Sequence, residues 1–363
     1  MTAPLLRLLA DDLTGALDTT AEMTALCGSV PVRWDAAPLQ GSAAFSSGSR
    51  EAPRDVAIQS VRALAPLLAG ADIAYRKLDS LLRGHVAAEL AACWATGYWR
   101  HCVLAPAFPA QGRIARDGRV LARLADGAFA PIAMPDWAAE NLTLHHGQPE
   151  RDLRDGITWF DAESNEDLAR IAALADTAKG PILWAGSGGL ARALAGEART
   201  GFDTNLQRPV LGLFGSDQIV TARQLAACGS TWLRISDASE APRVARQLVT
   251  GAALVSISLP DGTPRPIAAQ RIIGVFAGML RSLPRPGTLM IAGGETLRGI
   301  CDVLGADGLV ATGLVTPGVP RSMLHGGAWN GLTVISKSGA FGQDAMLRDL
   351  LATNHLPGGS TAA

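Results

Sequence analysis

The sequence predicts an α/β protein made of two α/β domains with mainly parallel sheets. Its 363 residues suggest about two domains, because one domain commonly holds about 100–200 residues. Short apolar runs alternate with segments of helical period, which is the pattern of parallel sheets covered by helices. The 40 glycines and 21 prolines indicate many short loops. Hydrophobic residues make up 48% of the chain and charged residues 18%, which excludes intrinsic disorder as the main state.

Charge and cysteine content exclude several classes of partner. The formal net charge is −1 and no basic run is interleaved with aromatic residues, so we expect no nucleic-acid partner. No stretch approaches the roughly 20 apolar residues of a membrane helix. The five cysteines form no CxxC pair, and the adjacent His145 and His146 have no third residue at metal-ligand spacing. These features predict a soluble cytoplasmic protein with no membrane contact and no metal-binding residues of its own.

The first half of the chain alternates strand and helix patterns. Leu5–Ala10 predicts a buried strand that ends at Asp11-Asp12. Thr14 is the expected N-cap of the next helix, which continues to Cys27. Further strands are predicted at Val30–Trp34, Ile73–Leu78, His101–Leu104, Ile157–Phe160 and Ile182–Ala185, with helices at Asp55–Leu68, Gly84–Thr96 and Asn165–Ala178.

The rest of the chain repeats this alternation after an irregular segment and a linker. Residues 111–149 have weak periodicity and are expected to be irregular, and the polar residues 198–209 are the expected linker. We therefore place an N-terminal domain at 1–200 and a C-terminal domain at 208–355, with a frayed end at 356–363. Strands are predicted at Val210–Phe214, Leu254–Leu259, Thr288–Ala292 and Leu332–Ser336, with helices up to Ala227, over Arg271–Leu280 and up to Leu304.

Polar residues follow the predicted strands of the first half at the end where open α/β sheets bind ligands. Asp11 and Asp12 are adjacent carboxylates at a strand end, and a helix cap needs only one of them. Lys77 lies at the end of the predicted strand Ile73–Leu78, and Asp79 and Arg83 follow it. Arginine offers a bidentate fork to a carboxylate or phosphate, lysine a point charge, and aspartate a proton acceptor. The pattern favours an acidic substrate, although a capped turn and a surface ion-pair cluster remain alternatives.

Glycine turns in the second half suit phosphate groups. Gly293-Gly294 follows an apolar strand and precedes a helix that begins near Thr296, an arrangement that leaves backbone N–H groups and the positive end of a helix dipole for an anion. Gly215-Ser216 and Gly186-Ser187-Gly188-Gly189 repeat this order, and Lys337 adds a cation after the last strand. Neither a Walker P-loop nor a GxGxxG fingerprint occurs.

Taken in order, these motifs resemble the signatures of the four-carbon acid sugar kinase family over about residues 5 to 345. The N-terminal signatures are ADDLTGA at 10–16, KLDSLLRG at 77–84 and PAFPAQGR at 106–113. The later ones are GSGGLA at 186–191, Gly215-Ser216 with Thr221 and Gln224, GGET at 293–296, PGVP at 317–320 and KSGAFGQD at 337–344.

The resemblance implies an ATP-dependent kinase that phosphorylates the terminal hydroxyl of a C4 sugar acid such as threonate, erythronate or 3-oxo-tetronate. It places the sugar acid on the N-terminal domain and the nucleotide with Mg²⁺ on the C-terminal domain, with the active site in the cleft between them. Leu81, Glu295 and Ala340 depart from the family pattern at a threonine, an aspartate and an asparagine, and the region 114–160 is shortened.

The expected roles combine the residue chemistry with this resemblance. Asp79 or Asp12 is expected to orient the attacking hydroxyl, with Asp79 preferred because neighbouring cations keep it ionised. Arg83, Arg50 and Lys77 are expected to bind the substrate carboxylate and the charge that develops on the phosphoryl group. A sugar-acid lyase or aldolase and a non-catalytic sugar-acid-binding protein remain alternatives, and a homodimer stays open. Sugar-acid contacts are expected at Asp11, Asp12, Ser49, Arg50, Lys77, Asp79 and Arg83, and nucleotide contacts at Ser216, Gly293, Gly294, Glu295, Thr296, Lys337, Ser338 and Gly339.

Overall fold

The computed structural model describes residues 3–37, 40–124, 126–149, 153–198, 200–260 and 262–359. The chain forms two compact units, Met1–Thr200 and Gly201–Ala363. Each is an α/β unit with a largely parallel sheet, as the sequence predicts. No helix in the described ranges is both long and apolar enough to cross a membrane.

The first unit contains a parallel sheet and a small antiparallel one. Its strands are β1 (Leu6–Ala10), β2 (Val30–Arg33), β3 (Ala43–Ser46), β4 (Ile73–Lys77), β5 (His101–Ala105), β6 (Arg113–Arg116), β7 (Arg119–Arg123), β8 (Phe129–Pro131), β9 (Leu144–His146), β10 (Gly156–Trp159) and β11 (Ile182–Gly186). The parallel sheet has the order β2-β3-β1-β4-β11-β5-β10-β9, and β6-β7-β8 form the antiparallel sheet.

Helices cover this parallel sheet, whose central strands are apolar and buried. The leucines of β1 are fully buried, as expected for a strand with helices on both faces. The helices are α1 (Leu13–Glu22), α2 (Thr24–Cys27), α3 (Arg54–Leu64), α4 (Val86–Trp94), α5 (Asn165–Ala172) and α6 (Gly188–Ala195).

One sequence-based expectation for this unit is wrong, and one strand was not predicted. Residues 111–149 are not irregular throughout, because they contain β6, β7 and β8. These strands are short and carry arginines at several positions, so their apolar alternation is weak. The four-residue strand β3 was not predicted, because serine and glycine flank it on both sides and the short segment resembles part of a loop.

The second unit has a seven-stranded mixed sheet. Its strands are β12 (Val210–Phe214), β13 (Trp232–Ile235), β14 (Ala252–Ile257), β15 (Thr288–Ala292), β16 (Gly308–Thr316), β17 (Val319–His325) and β18 (Thr333–Lys337), in the order β13-β14-β12-β15-β18-β17-β16. The pairs from β13 to β18 are parallel, whereas β17 is antiparallel to both β18 and β16. The helices are α7 (Ile219–Ala226), α8 (Ala241–Val249), α9 (Arg265–Leu280), α10 (Gly294–Val303) and α11 (Met346–Thr353).

Several parts of the second unit were not predicted. The β16–β17 hairpin turns at Gly318, which has a φ of 74° that glycine adopts without strain. In the expected linker, Phe202 bridges to Leu314 of β16. The expectation of a frayed end is wrong at Leu356, which is buried and donates its backbone N–H to Leu351. Residues 360–363 of that predicted segment, and residue 199 of the linker, lie outside the described residues.

A buried ion pair lies between β4 and α4 in the first unit. Arg76 and Glu89 are each 1% exposed, and Nη2 of Arg76 lies 2.5 Å from Oε2 of Glu89. Nη1 of Arg76 also donates to the carbonyl oxygen of Leu9, at 3.2 Å. The second carboxylate oxygen of Glu89 accepts a hydrogen bond from the Ser49 hydroxyl. The pair therefore ties β4, α4 and the segment after β3 together.

We expect Glu89→Ala to lower the free energy of unfolding of the first unit by about 3–5 kcal/mol, because Arg76 is left as an unpaired buried charge. Urea unfolding followed by tryptophan fluorescence measures this, since six of the eight tryptophans lie before residue 201. Glu163→Ala is the control. It breaks the half-exposed pair with Arg116 and is expected to cost under about 1 kcal/mol. Equal small losses in both variants would contradict a structural role for the buried pair.

Candidate active site

Three adjacent strands of the first unit end at one place on the sheet. Strand β1 lies between β3 and β4, and Ala10 is level with Ser46 of β3 and Lys77 of β4. All three strands are parallel, so their carboxyl ends share one edge of the sheet. The residues that follow them, including Asp11, Arg50 and Asp79, are therefore brought together.

Arg50 binds the carboxylates that follow β1. Its Nε and Nη2 donate to the two oxygens of Asp11, both at 2.8 Å. Its Nη1 and Nη2 donate to the two oxygens of Asp12, at 2.7 and 2.9 Å, and Nη2 lies 3.5 Å from Oδ2 of Asp79. Burial alone would raise the pKa of Asp11, but the charge and hydrogen bonds of Arg50 hold it below its usual range. Little of the Arg50 fork is left for a ligand.

Asp12 is the N-cap of α1. Its carboxylate accepts from the backbone N–H of Gly15 and from the Thr14 hydroxyl, both at 2.7 Å. The expectation that Thr14 itself caps this helix is therefore wrong, because the aspartate reaches the free N–H group. A Cβ atom on Gly15 would lie 2.5 Å from Oδ1 of Asp12 and 3.1 Å from Nζ of Lys77. The ammonium group of Lys77 thus lies against the first turn of α1.

Asp79 and Arg83 form a bidentate pair at the end of β4. Nε and Nη2 of Arg83 donate to the two oxygens of Asp79, at 2.9 and 2.6 Å. Although burial opposes it, the Arg83 hydrogen bonds and the charges of Arg50, Arg83 and Lys77 hold the pKa of Asp79 well below its usual range. The backbone N–H of Leu81 also donates to Asp79, at 3.0 Å, so this support does not need the threonine that the family carries there.

Ser49 and Lys77 are buried beside this group. The Ser49 hydroxyl donates to Glu89 and accepts a 2.7 Å hydrogen bond from the Ser47 hydroxyl, and the backbone N–H of Ser47 donates to the carbonyl oxygen of Ala10 at 2.9 Å. Ser49 therefore fixes the segment that carries Arg50. Lys77 is 4% exposed, and its ammonium group makes no hydrogen bond or ion pair within the part of the chain that the structure describes. A buried cation without a hydrogen-bonding or ionic partner is a candidate binding site for an anion.

Asp18 is a further candidate that was not predicted from the sequence. This half-buried carboxylate lies in the middle of α1 and accepts a 2.7 Å hydrogen bond from the Thr19 hydroxyl. Burial raises its pKa to about 6, against the opposing charge of Lys77. Asp18 is one helical turn after Gly15, on the side of α1 where Lys77 lies. Asp18 was not predicted because it lies inside a helix, whereas the sequence-based candidates of this unit were sought at the ends of strands.

In the second unit, the three predicted turns pack against one another. A Cβ atom on Gly339 would lie 1.9 Å from the Ser216 hydroxyl oxygen, and one on Gly215 would lie 2.1 Å from the Thr296 hydroxyl oxygen. Gly293 has a φ of 103° and precedes α10, in whose first turn Gly294 and Glu295 lie. Gly215 and Gly339 therefore let the turns pack closely against one another, and Gly293 starts α10 without a side-chain cap. The backbone N–H groups of the first turn of α10 have no partner within the helix and can bind an anion.

Lys337 lies at the end of β18 beside these turns and is 4% exposed. Its ammonium group donates to the Thr221 hydroxyl at 3.1 Å and to the carbonyl oxygen of Ser338 at 3.0 Å. No carboxylate lies within 4.0 Å of it among the residues that the structure describes, and burial lowers the pKa of Lys337 to about 7. A nearby anion would restore its positive charge.

Thr221 and Gln224 have structural roles in this region. The Thr221 hydroxyl donates to the carbonyl oxygen of Gly339, at 2.7 Å. The Gln224 amide donates to the carbonyl oxygens of Phe341 and Gln343, both at 3.0 Å. These bonds fasten the 339–343 segment to α7. The spacing of the two polar residues in the sequence is explained by their place on one face of that helix.

An apolar cavity of about 440 Å³ adjoins Lys337 in the second unit. Its walls come from β12, β15, β18 and α11 and from the segment after β18. The main apolar lining residues are Phe214, Met290, Ile335, Phe341, Met346 and Leu347. A largely apolar cavity with a few polar groups at its edge suits a small molecule with a flat ring.

The glycine turn at 186–189 serves packing in the first unit. The Ser187 hydroxyl donates to the carbonyl oxygen of Ala107, at 2.7 Å. A Cβ atom would lie 2.5 Å from the Ala105 carbonyl oxygen if added to Gly186, and 2.6 Å from that of Ala107 if added to Gly189. The turn is therefore in contact with the backbone after β5, which leaves no room for a phosphate at these glycines.

Two family models match the chain. The model described as a sugar-binding N-terminal domain matches residues 6–146, and the model described as a nucleotide-binding C-terminal domain matches residues 243–347. Together they span most of the chain, and the two matches fall in the two separate units. The predicted domain bounds, and the ligand that each domain takes, stay predictions.

Three curated relatives share the D-threonate kinase description. The protein from Cupriavidus necator is 30% identical over 94% of this chain and 95% of its own length. Those from Salmonella typhimurium and Bordetella bronchiseptica are each 27% identical, over 94% and 96% of this chain and 96% and 97% of their own lengths. The similarity is thus not confined to one unit.

Solved structures share the fold. A Salmonella typhimurium LT2 protein, provisionally described as a tRNA synthase, superposes with a TM-score of 0.73 over 94% of this chain and 97% of its own, at 19% identity. A Haemophilus influenzae protein gives a TM-score of 0.67 over 96% of this chain and 100% of its own, also at 19% identity. With the near-full-length curated relatives, these findings show that the chain belongs to the four-carbon acid sugar kinase family.

Proposed function

We propose that this protein is an ATP-dependent kinase that phosphorylates the terminal hydroxyl of a four-carbon sugar acid, with D-threonate as the first candidate. The main support is that each unit has a buried lysine with no ion pair among the residues that the structure describes. Lys77 lies near the strand-end carboxylates of the first unit, and Lys337 lies beside three closely packed turns of the second unit, one of which is the N-terminus of α10. The relatives named D-threonate kinase supply the candidate substrate.

The first unit is proposed to hold the acceptor. Lys77 and the half-exposed Arg83 supply positive charge that attracts the acidic substrate and offsets the charge that develops on the transferred group. Ser49 and Arg50 are proposed to act chiefly as positioning residues, because the donors of both are largely engaged by protein carboxylates. Asp11 and Asp12 hold Arg50 in place, and direct contacts from these residues to the acid stay predictions.

The second unit is proposed to hold ATP, with Mg²⁺ entering as part of this substrate. The backbone N–H groups of the turns at 215–216, 293–296 and 338–339 would bind the phosphates. The hydroxyl groups of Ser216 and Thr296 lie at the same place, and Lys337 supplies a positive charge. The apolar cavity beside Lys337 is the proposed place of the adenine ring, because apolar walls favour a flat aromatic group.

Phosphoryl transfer forms one bond, breaks another and releases a proton. The terminal oxygen of the acid forms a bond to the γ-phosphorus, the bond from that phosphorus to the bridging oxygen breaks, and ADP leaves with the electron pair. The hydroxyl proton must pass to a base. Arginines hold the pKa of Asp79 far below its usual range, so Asp79 accepts a proton poorly. The carboxylate of Asp12 is occupied by Arg50, the Thr14 hydroxyl and the backbone N–H of Gly15. Asp18, with a pKa of about 6, is better suited to accept it, and Asp79 then orients Arg83 and Arg50.

A coupled ADP-release assay with ATP, Mg²⁺ and a panel of C3 to C6 sugar acids tests the proposed function. We expect release with D-threonate or another four-carbon acid, and ³¹P NMR of the product should show a phosphate monoester on the terminal carbon. Cleavage of a sugar acid without ATP would indicate a lyase or aldolase. Tight binding of acids without ADP release would indicate a binding protein, and either result would contradict the kinase proposal.

We expect Asp18→Asn to lower kcat by about 10²–10⁴-fold, the usual contribution of a general base, with little change in either KM. The wild-type enzyme should lose activity below about pH 6, where Asp18 becomes protonated, and the variant should lack this acid limb. Asp79→Asn, measured beside it, should mainly raise the KM for the acid and keep the acid limb. The opposite pattern would return the base to Asp79, which the sequence favours.

We expect ATP binding to take up a proton at Lys337. At pH 8 most of this lysine is neutral, because burial lowers its pKa to about 7, and the phosphates favour the charged form. The affinity for ATP should therefore fall by about tenfold between pH 6 and pH 8. Calorimetry in two buffers of different ionisation enthalpy measures the uptake, and Lys337→Met should abolish it. Unchanged uptake in the variant would show that another group titrates.

A further inference from the structure

Arg113 stands at the start of β6, directly after the loop that follows β5. Its backbone N–H donates to the carbonyl oxygen of Phe108 at 3.1 Å, and the N–H of Phe108 donates back to Arg113 at 2.8 Å. Gly112, just before it, has a φ of 68° in the left-handed region. The reciprocal bonds and the tight turn fix the direction in which the side chain leaves the backbone.

The guanidinium group of Arg113 has only neutral partners. Its Nη1 donates to the backbone oxygen and to the side-chain oxygen of Gln111, at 2.7 and 2.9 Å. In the ranges that the structure describes, no carboxylate lies within 4.0 Å of it, and Nε and Nη2 make no hydrogen bond. Burial lowers the pKa of Arg113, as expected for a cation that has lost water without gaining an anion.

Two nearby arginines, in contrast, are paired with carboxylates. Arg50 binds Asp11 and Asp12, and the Nε and Nη2 groups of Arg83 both donate to Asp79. Arg113 lies close enough to feel the charges of both Asp79 and Arg83. It is therefore a half-buried arginine of this group whose Nε and Nη2 edge is open. That edge is the part of a guanidinium that binds a carboxylate through two parallel hydrogen bonds.

We propose that Arg113 binds the carboxylate of the sugar acid and sets the preference of the enzyme for an acid over an uncharged polyol. This inference rests on the proposed function. A carboxylate fits the open edge in planar, bidentate fashion, and its charge offsets the cost of the half-buried cation. Lys77, a point charge with no fork, is then left for the charge that develops on the transferred phosphoryl group.

The test compares D-threonate with D-threonamide, which has the same shape but no negative charge, as acceptors for the full-length enzyme. Arg113→Ala should raise the KM for D-threonate by about 10- to 100-fold, the usual worth of a charged hydrogen-bonded pair. Its kcat should stay within about threefold, and its KM for D-threonamide should not change. Arg113→Lys should recover only part of the loss, because lysine has the charge without the fork.

Arg116→Ala is the matched control. Arg116 lies on the same strand, is half exposed and is paired with Glu163, so its loss should leave both KM values unchanged. An equal rise in KM for acid and amide with Arg113→Ala would indicate a merely structural role and overturn the inference. A rise confined to the KM for ATP would assign Arg113 to phosphate instead. If the wild-type enzyme phosphorylates none of the acids, the proposed function fails first.

Discussion

The ion pairs of the Arg50 guanidinium group stabilise the polar end of the parallel sheet in the first unit. Asp11, Asp12 and Asp79 follow two adjacent strands, and three carboxylates so close together would repel one another and take up protons. Arg50 lies against all three and keeps Asp11 and Asp79 ionised. The neighbouring residue Ser49 fixes the backbone that carries Arg50, because the Ser49 hydroxyl donates a hydrogen bond to the buried Glu89. The polar end of the sheet is therefore built by protein charges before any ligand arrives.

The groups that this network leaves unpaired point to the chemistry. An ionisable side chain that is buried or half-buried without an ion pair identifies a place where a ligand can supply the missing partner. In the first unit these are Lys77 and Arg113, which are cations, and Asp18, a carboxylate with a raised pKa. In the second unit Lys337 is buried without a carboxylate partner. Phosphoryl transfer to an acidic alcohol requires two sites for anions and one proton acceptor, and these groups are our candidates for them.

The sequence predicted well where chemistry coincides with a strand end. Asp11, Lys77 and Asp79 follow strong apolar runs, and adjacent parallel strands bring such residues together. Asp18 lies inside a helix and Arg113 lies in a region of short strands, so neither could be recognised from the sequence as a residue at the end of a strong apolar strand. Glu89 was missed because α4 reads as apolar and its one acid gave no sign of a buried partner. Sequence spacing also could not show that the 186–189 turn is filled by the backbone after β5.

A crystal structure of the enzyme with D-threonate and a non-hydrolysable ATP analogue would show which unit binds each substrate. We expect the acid on the first unit, with its carboxylate on Nε and Nη2 of Arg113 and its terminal hydroxyl within hydrogen-bonding distance of Asp18. This assignment also puts the nucleotide on the second unit, with its triphosphate on the turns beside Lys337. An acid bound at those turns, or a nucleotide bound among Arg50, Lys77 and Arg83, would contradict it.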